Sequence, residues 1–217
     1  FHKKGDMFFA ASAGHNGQSH NHNDVGTFNL YCSGRPVIID VGVGTYTRQT
    51  FSDERYGIWT MQSGYHNVPM INGVTQKDGR EFEAKDVVSR PGFFSSDISG
   101  AYPAEAAVSR WIRSYKVKGE SLEISDSFTL DDLKAPNEIV FMTWGDVSLV
   151  RDGMVSVEVD GVKAALEYPA SSFEAVIEPI SLNDPKIIEV WGDEVVRVRL
   201  VAERQQKKAT YKFRICY

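Results

Sequence analysis

The sequence predicts an all-β protein, a large antiparallel β-sandwich with long loops near its N-terminal third that carry the functional site. Three observations lead there. Apolar residues recur at every second position, no helical period is sustained, and turn pairs punctuate the apolar runs. In chain order, Met7–Ser12, Thr27–Cys32, Pro36–Val41, Asn67–Ile71, Phe82–Ser89 and Ala107–Val117 are the first strand candidates. Ser121–Leu130 places Leu122, Ile124, Asp126, Phe128 and Leu130 on one face and only Ser, Glu and Thr on the other. Glu138–Trp144 follows, and Met154–Asp160 sets Val155, Val157 and Val159 against Ser156, Glu158 and Asp160. Val162–Tyr168, Phe173–Ile180 and Ile187–Val190 are further candidates. Val196, Val198 and Leu200 alternate with Arg197 and Arg199, and the last segment sets Tyr211, Phe213, Ile215 and Tyr217 against Lys212, Arg214 and Cys216. Such segments are strands with one wet face and one dry face.

Turn signals at Ser33-Gly34, Asn72-Gly73, Asp78-Gly79, Pro91-Gly92, Asp152-Gly153, Asp160-Gly161 and Gly192-Asp193 separate these strands. Strands without intervening helices imply an antiparallel sandwich rather than βαβ units. Only Gln49–Ser63 has room for a short helix or an ordered loop. No internal repeat or linker stands out, so residues 1–217 read as a single β-sandwich domain.

Composition agrees. A 42% hydrophobic, 24% charged chain of 217 residues has the material for a real core and is not disordered. No apolar run approaches the roughly 18–20 residues of a membrane helix. The chain opens mid-pattern at Phe1 without a start methionine or a signal-like segment, as expected of part of a longer protein. The net charge of −5 disfavours nucleic acid as a partner. Residues 1–66 are charge-balanced, yet they hold all five histidines: His2, His15, His20, His22 and His66. Chemistry that needs imidazole therefore belongs to the first third. Cys32 and Cys216 could pair across terminal strands, but two buried thiols is the plainer expectation.

Two long polar insertions interrupt the strand pattern there. Gly14–Gly26 is rich in Gly and Asn and carries His15, His20 and His22, and Gly42–Gly64 is the second insertion. Long loops on a rigid sheet are where sites sit. His20, His22 and Asp24 form an H-x-H-x-D string. Val25 stands where a metallo-β-lactamase has its next histidine, and that superfamily's alternating helices are missing. Spacing offers another grouping. His22 is in the first loop, Asp40 ends the apolar strand Val37-Ile38-Ile39, and His66 follows the second loop. Two imidazoles and a carboxylate make a chemically sound zinc set. An acid at the end of an apolar strand is costly unless paired, capped or metal-bound. Taken singly, Asp40 could be a turn cap and each histidine a hydrogen-bonded surface residue.

Three strings together carry a resemblance: Ser19-His20-Asn21-His22-Asn23-Asp24-Val25-Gly26-Thr27-Phe28, then Asp40-Val41-Gly42-Val43-Gly44-Thr45-Tyr46, then Gln62-Ser63-Gly64-Tyr65-His66-Asn67-Val68 with Ile71-Asn72-Gly73. In this order, over about the first 76 residues, they resemble the heparinase II/III-like family of polysaccharide lyases. Beyond them the similarity is strand patterning alone. The resemblance implies an antiparallel sandwich that works behind an N-terminal α/α toroid, absent from this chain. It implies one zinc ion in a structural role, tying the two loops to the sheet and held by His22, Asp40 and His66. It also implies that His20 faces the substrate and that a tyrosine from the second loop is catalytic. Tyr56 and Tyr46 both lie in that window. Tyr56 is preferred because it follows Arg55 in a polar stretch, and Tyr46 could instead pack beneath the loop.

The implied activity is β-elimination on a uronic-acid-containing acidic polysaccharide, of glycosaminoglycan or alginate type, and the implied location is periplasmic or secreted. Asn21 and Arg55 would help neutralise the uronate carboxylate, and Trp59 is a candidate for stacking on sugar. Trp111 and Trp144 lie in strand patterns and are expected in the core. Few Lys or Arg sit near the motifs, which disfavours a heavily sulfated substrate. The competing expectation is a sandwich that only binds carbohydrate or only supports structure.

Overall fold

The computed structural model describes all of residues 1–217. Alternation becomes packing directly. Leu122, Ile124, Phe128 and Leu130 are buried, while Ser127 on the other face is exposed. Their strand lies inside an eight-stranded antiparallel sheet, ordered Asp146–Arg151, Met154–Val159, Val162–Glu167, Lys208–Cys216, Ser121–Leu130, Val108–Lys118, Phe93–Asp97 and Lys85–Arg90. Two four-stranded sheets make the opposing layer. One runs His2–Lys4, Met7–Ala11, Phe28–Cys32 and Arg35–Ile38; the other runs Phe173–Ser181, Glu194–Ala202, Glu138–Thr143 and Pro69–Met70. A small pairing of His15–Asn16 with Gly79–Glu83 completes the set.

The main core is a cluster of 33 buried residues drawn from all three large sheets. Aromatic rings join the sheets: between centroids, Phe9 meets Tyr115 at 5.2 Å and Phe141 meets Phe213 at 6.0 Å across the layers, and Phe28 meets Phe141 at 6.2 Å between the two smaller sheets. The two smaller sheets are stitched edge to edge where the Ile39 amide donates to Met142 O and the Thr143 hydroxyl donates to Val37 O. Glu138–Thr143 is consequently buried on both faces. Its outward side chains, Val140 and Met142, join Ile39, Val41, Ile187 and Val195 in a second, smaller core.

Two strand expectations need correction. Ile187–Val190 is not a strand but part of the helix Pro185–Trp191. The Asp184 side chain caps its start by accepting from the Lys186 amide, Pro185 suits the first turn, and Gly192 ends it at φ +75°. The aliphatic run was read as a strand, whereas Asp-Pro before it and Gly after it are helix boundaries. Phe82–Ser89 is two strands, Gly79–Glu83 and Lys85–Arg90, broken at Ala84, with Asp86 at φ +52° inside a register shift. Phe93–Asp97 and Asp146–Arg151 are strands that alternation did not reveal; in the first, adjacent Phe93 and Phe94 and the buried pair Ser95 and Ser96 mask the period. The Gln49–Ser63 region holds short 3₁₀ turns, at Gln49–Phe51, Arg55–Gly57 and Trp59–Met61, with a fourth at Ser63–Tyr65.

The histidine-rich loop returns to the sheet at Gly26, which is at φ +90°. Its carbonyl accepts from the Tyr115 hydroxyl at 2.6 Å, and a Cβ there would lie 2.8 Å from Ile98 Cγ2. Gly26→Ala is expected to destabilise the fold by about 1–3 kcal/mol, read from urea unfolding, through backbone strain and overpacking. A loss below about 0.5 kcal/mol would show that the backbone can yield there.

Candidate metal centre and adjoining groove

The two loops and the sheet bring His22, Asp40 and His66 together. One ligand atom from each lies within 4.8 Å of the others, and the rings of His22 and His66 are 5.1 Å apart. Asp40 leaves the apolar strand and turns, its Oδ1 accepting from the Gly42 amide at 2.8 Å. The turn-cap reading of Asp40 is therefore correct for one oxygen, and Oδ2 lies 3.2 Å from His66 Nδ1. His66 is 1% exposed. Its Nε2 is 3.0 Å from Thr60 O. A carbonyl oxygen can only accept, so Nε2 carries the proton. In the neutral ring Nδ1 is then a lone pair facing a carboxylate oxygen. Two acceptors at that separation repel unless a proton or a cation lies between them.

Electrostatics follow from this crowding. Burial would weaken the His66 imidazolium, but Asp40 and then Asp24 override it and raise the His66 pKa. Burial would likewise raise the Asp40 carboxyl, but His66 and His22 hold it well below the usual carboxylate range. His22 is pushed down to about 4, mainly by burial and then by His66, so its ring is neutral and its lone pair available at neutral pH. A neutral imidazole, a carboxylate and an imidazole fixed through a backbone carbonyl are what a zinc site requires, and the carbonyl on the far nitrogen is the usual second-layer partner.

A cavity of about 390 Å³ opens beside this cluster, lined by His15, His20, Asn21, His22, Asp24 and Asp40 among others. Asp24 lies in the cavity wall but outside the three-residue cluster, and burial lifts its carboxyl to about 6. His20 is exposed on the cavity rim at φ +61°. Tyr56 is half-buried and donates its hydroxyl to Asn21 Oδ1 at 3.0 Å. Tyr46 is not packed beneath the loop: it is 44% exposed, with its ring 6.0 Å from His20.

Other candidates have structural duties. Asn21 uses its amide nitrogen on His22 O and its amide oxygen on Tyr56. Arg55 donates from Nη1 to Thr50 O and from Nη2 to Asn21 O, both at 2.9 Å, clamping one loop to the other. Trp59 does not line the His20 cavity; its 3₁₀ turn directs it against Tyr65, 5.1 Å away, and toward a separate cavity beside Ile187. Trp111 is fully buried, and Trp144 packs edge-on to Trp191 at 5.5 Å. Cys32 and Cys216 are both unpaired thiols; Cys32 is buried and Cys216 partly exposed.

Sequence reasoning missed the groups that hold the site. Asn67 is buried, donates from Nδ2 to Phe28 O and Ile39 O, and accepts the Met142 amide on Oδ1. It thereby ties both smaller sheets together one residue from His66. Its own carbonyl accepts from Arg113 Nη1 at 2.7 Å, and Arg113 pairs with Asp126 in the core. Gln76 performs a similar service for the first loop: its side chain accepts from Val25 N and donates to Val25 O, while its backbone N–H donates to Ser63 Oγ.

The fold and this cluster define a class, an antiparallel sandwich with an imidazole–carboxylate–imidazole centre on its loops. The family model for the heparinase II/III-like C-terminal region matches residues 2–173, and the chain belongs to that family. Among solved structures, it is similar to the heparinase III BT4657 gene product, with 16% identity and a TM-score of 0.69 over 95% of this chain and 31% of that one. It is also similar to the heparan sulfate lyase HepC from Pedobacter heparinus, with 15% identity and a TM-score of 0.70 over 97% of this chain and 33% of that one. The chain thus spans about a third of the length of these proteins. No curated protein sequence matches it. At such identities the structural likeness establishes the fold.

Proposed function

We propose that this chain is the C-terminal sandwich of a polysaccharide lyase that cleaves uronic-acid-containing acidic polysaccharide by β-elimination, and that it acts with an N-terminal α/α toroid in the periplasm or outside the cell. The observation that carries this is the convergence of His22, Asp40 and His66 next to a polar cavity whose rim bears His20. In these residues a single zinc ion would find two imidazole nitrogens, that of His66 on displacement of any proton it shares with Asp40, and a carboxylate. When bound, it would supply the positive charge that the facing His66 and Asp40 acceptors lack, and so lock both loops.

The reaction itself needs no metal-bound hydroxide. The C5 proton of a uronate is weakly acidic because the adjacent carboxylate is negative, and donors on that carboxylate stabilise the enolate-like intermediate. In this reading His20 at the rim or a phenol, Tyr56 or Tyr46, takes the C5 proton, the C4–O bond breaks as the C4–C5 double bond forms, and the phenol returns a proton to the leaving oxygen. Asn21 and Arg55 act on the carboxylate less directly, since their polar atoms are already engaged within the loops.

An elimination product is an unsaturated uronate, which absorbs in the ultraviolet, whereas hydrolysis creates no such chromophore. A protein carrying this sandwich and its toroid is expected to generate that absorbance on an unsulfated glycosaminoglycan or alginate, and the isolated 217 residues are not. His20→Ala in the longer protein should lower kcat by about 10²–10⁴-fold with zinc content unchanged. Loss of zinc with that substitution would mean that His20, not His22, is the ligand. A sandwich that only binds carbohydrate would bind these polymers without producing the chromophore.

A further inference from the structure

We propose that Phe51, flanked by Tyr46 and His20, is a stacking platform for one pyranose ring of an acidic polysaccharide at the outer rim of the His20 cavity. This deepens the lyase reading and rests on it. Phe51 is 69% exposed and Tyr46 44% exposed. Single exposed aromatics carry little meaning, but these are mutually packed: Tyr46 to Phe51 is 5.5 Å, His20 to Tyr46 is 6.0 Å and His20 to Phe51 is 6.4 Å. Tyr46 and Phe51 share the second loop and His20 comes from the first, so the His20 contacts are tertiary rather than a local accident of sequence.

The platform is built and held. Thr50, next to Phe51, is 2% exposed; its hydroxyl accepts from the Thr47 amide and its carbonyl accepts from Arg55. With Thr50 turned inward in the Gln49–Phe51 turn, Phe51 turns outward. The second arm of Arg55 fixes Asn21 O, so one guanidinium sets the spacing between the His20 loop and the Phe51 turn. His20 is held at φ +61°, a left-handed conformation that the surrounding contacts must impose on a non-glycine residue.

Placement selects the occupant. His20 touches the rings on one side and lines the polar cavity on the other, where nine of the eleven lining residues are not hydrophobic. An acyl chain or an apolar peptide would lose its contacts on entering such a cavity. A uronate ring suits both parts, since it offers a C–H face to an aromatic ring and places hydroxyls and a carboxylate at its edge.

The test is calorimetric titration of the 217-residue chain, which has its own core, with hexasaccharides of heparosan, hyaluronan, chondroitin and alginate. At least one is expected to bind. Phe51→Ala and Phe51→Leu should weaken that binding about tenfold, and Phe51→Trp should stay within about twofold, because the flat ring rather than hydrophobicity is required. Unchanged melting temperatures would show that the fold is not the cause. If Phe51→Ala binds the same hexasaccharide as tightly as the parent, the platform is refuted while the lyase reading stands. If the parent binds none of the four, the platform is refuted, and the lyase reading is judged separately by the ultraviolet assay on the longer protein. If Phe51→Ala instead converts a sedimenting dimer to a monomer with sugar binding intact, the patch is a self-association surface and the platform is refuted.

Discussion

Replacing Arg113 with alanine is expected to destabilise the protein by about 3–5 kcal/mol, visible as a lowered midpoint in urea. Arg113 and Asp126 both have side chains with 0% exposure, Nε to Oδ1 being 3.2 Å. Burial works against the guanidinium's charge, but Asp126 and then the hydroxyls of Tyr115 and Tyr102 outweigh it and raise the Arg113 pKa. Removing the guanidinium leaves the Asp126 carboxylate with the Trp111 indole N–H, at 2.9 Å, as its remaining donor, and deprives Asn67 O of its own donor. An apolar double replacement, Arg113→Met with Asp126→Leu, should recover much of the loss, because desolvation of both charges is avoided. A change in Arg113→Ala below about 0.5 kcal/mol would mean that the pair is solvated or dispensable.

Asn67→Ala should cost about 3–5 kcal/mol, since it strands three buried groups: Phe28 O, Ile39 O and the Met142 amide. Each unpaired group costs about 1–3 kcal/mol, and partial relaxation keeps the total below their sum. Asn67→Asp should not rescue it. The carboxylate would still accept from Met142, but it would present an oxygen to two carbonyl oxygens that need donors. Because Asn67 joins the smaller sheets beside His66, amide exchange in Phe28–Cys32 and Glu138–Thr143 should accelerate together in the variant. Faster exchange in one sheet alone would show that Asn67 does not couple them.

The strand architecture was legible because half-buried strands reveal themselves by period two. It failed where that premise failed. Phe93–Asp97 buries serines and so does not alternate by polarity, whereas Glu138–Thr143, buried on both faces, is still legible as a strand from its apolar run. Ile187–Val190 looked like a strand because β-branched residues favour strands, but the caps at Asp184 and Gly192 made a helix. The candidate metal cluster was legible, since spacing and the resemblance group His22, Asp40 and His66 and the structure brings them together. The contact that fixes the His66 ring, Thr60 O on Nε2, was not, since it depends on how the second loop folds. The Arg113–Asp126 pair did leave a trace: Asp126 falls on the dry face of Ser121–Leu130, where an acid needs a buried partner. Its partner could not be read, because strand pairing supplies it. Trp59 packs against Tyr65 from its 3₁₀ turn while Tyr46 stays exposed, a difference set by loop geometry rather than composition.

Removal of zinc should loosen the loops without unfolding the protein. The Asn23 amide on Met61 O, Arg55 on Asn21 O and Gln76 on Val25 hold the loops independently of an ion. The most direct measurement is anomalous scattering at the zinc edge from crystals of the zinc-loaded chain and of its His22→Ala variant. One peak bonded by His22, Asp40 and His66, abolished in the variant, is the predicted result. No peak at that position, or a peak that persists at full occupancy without His22, would contradict it.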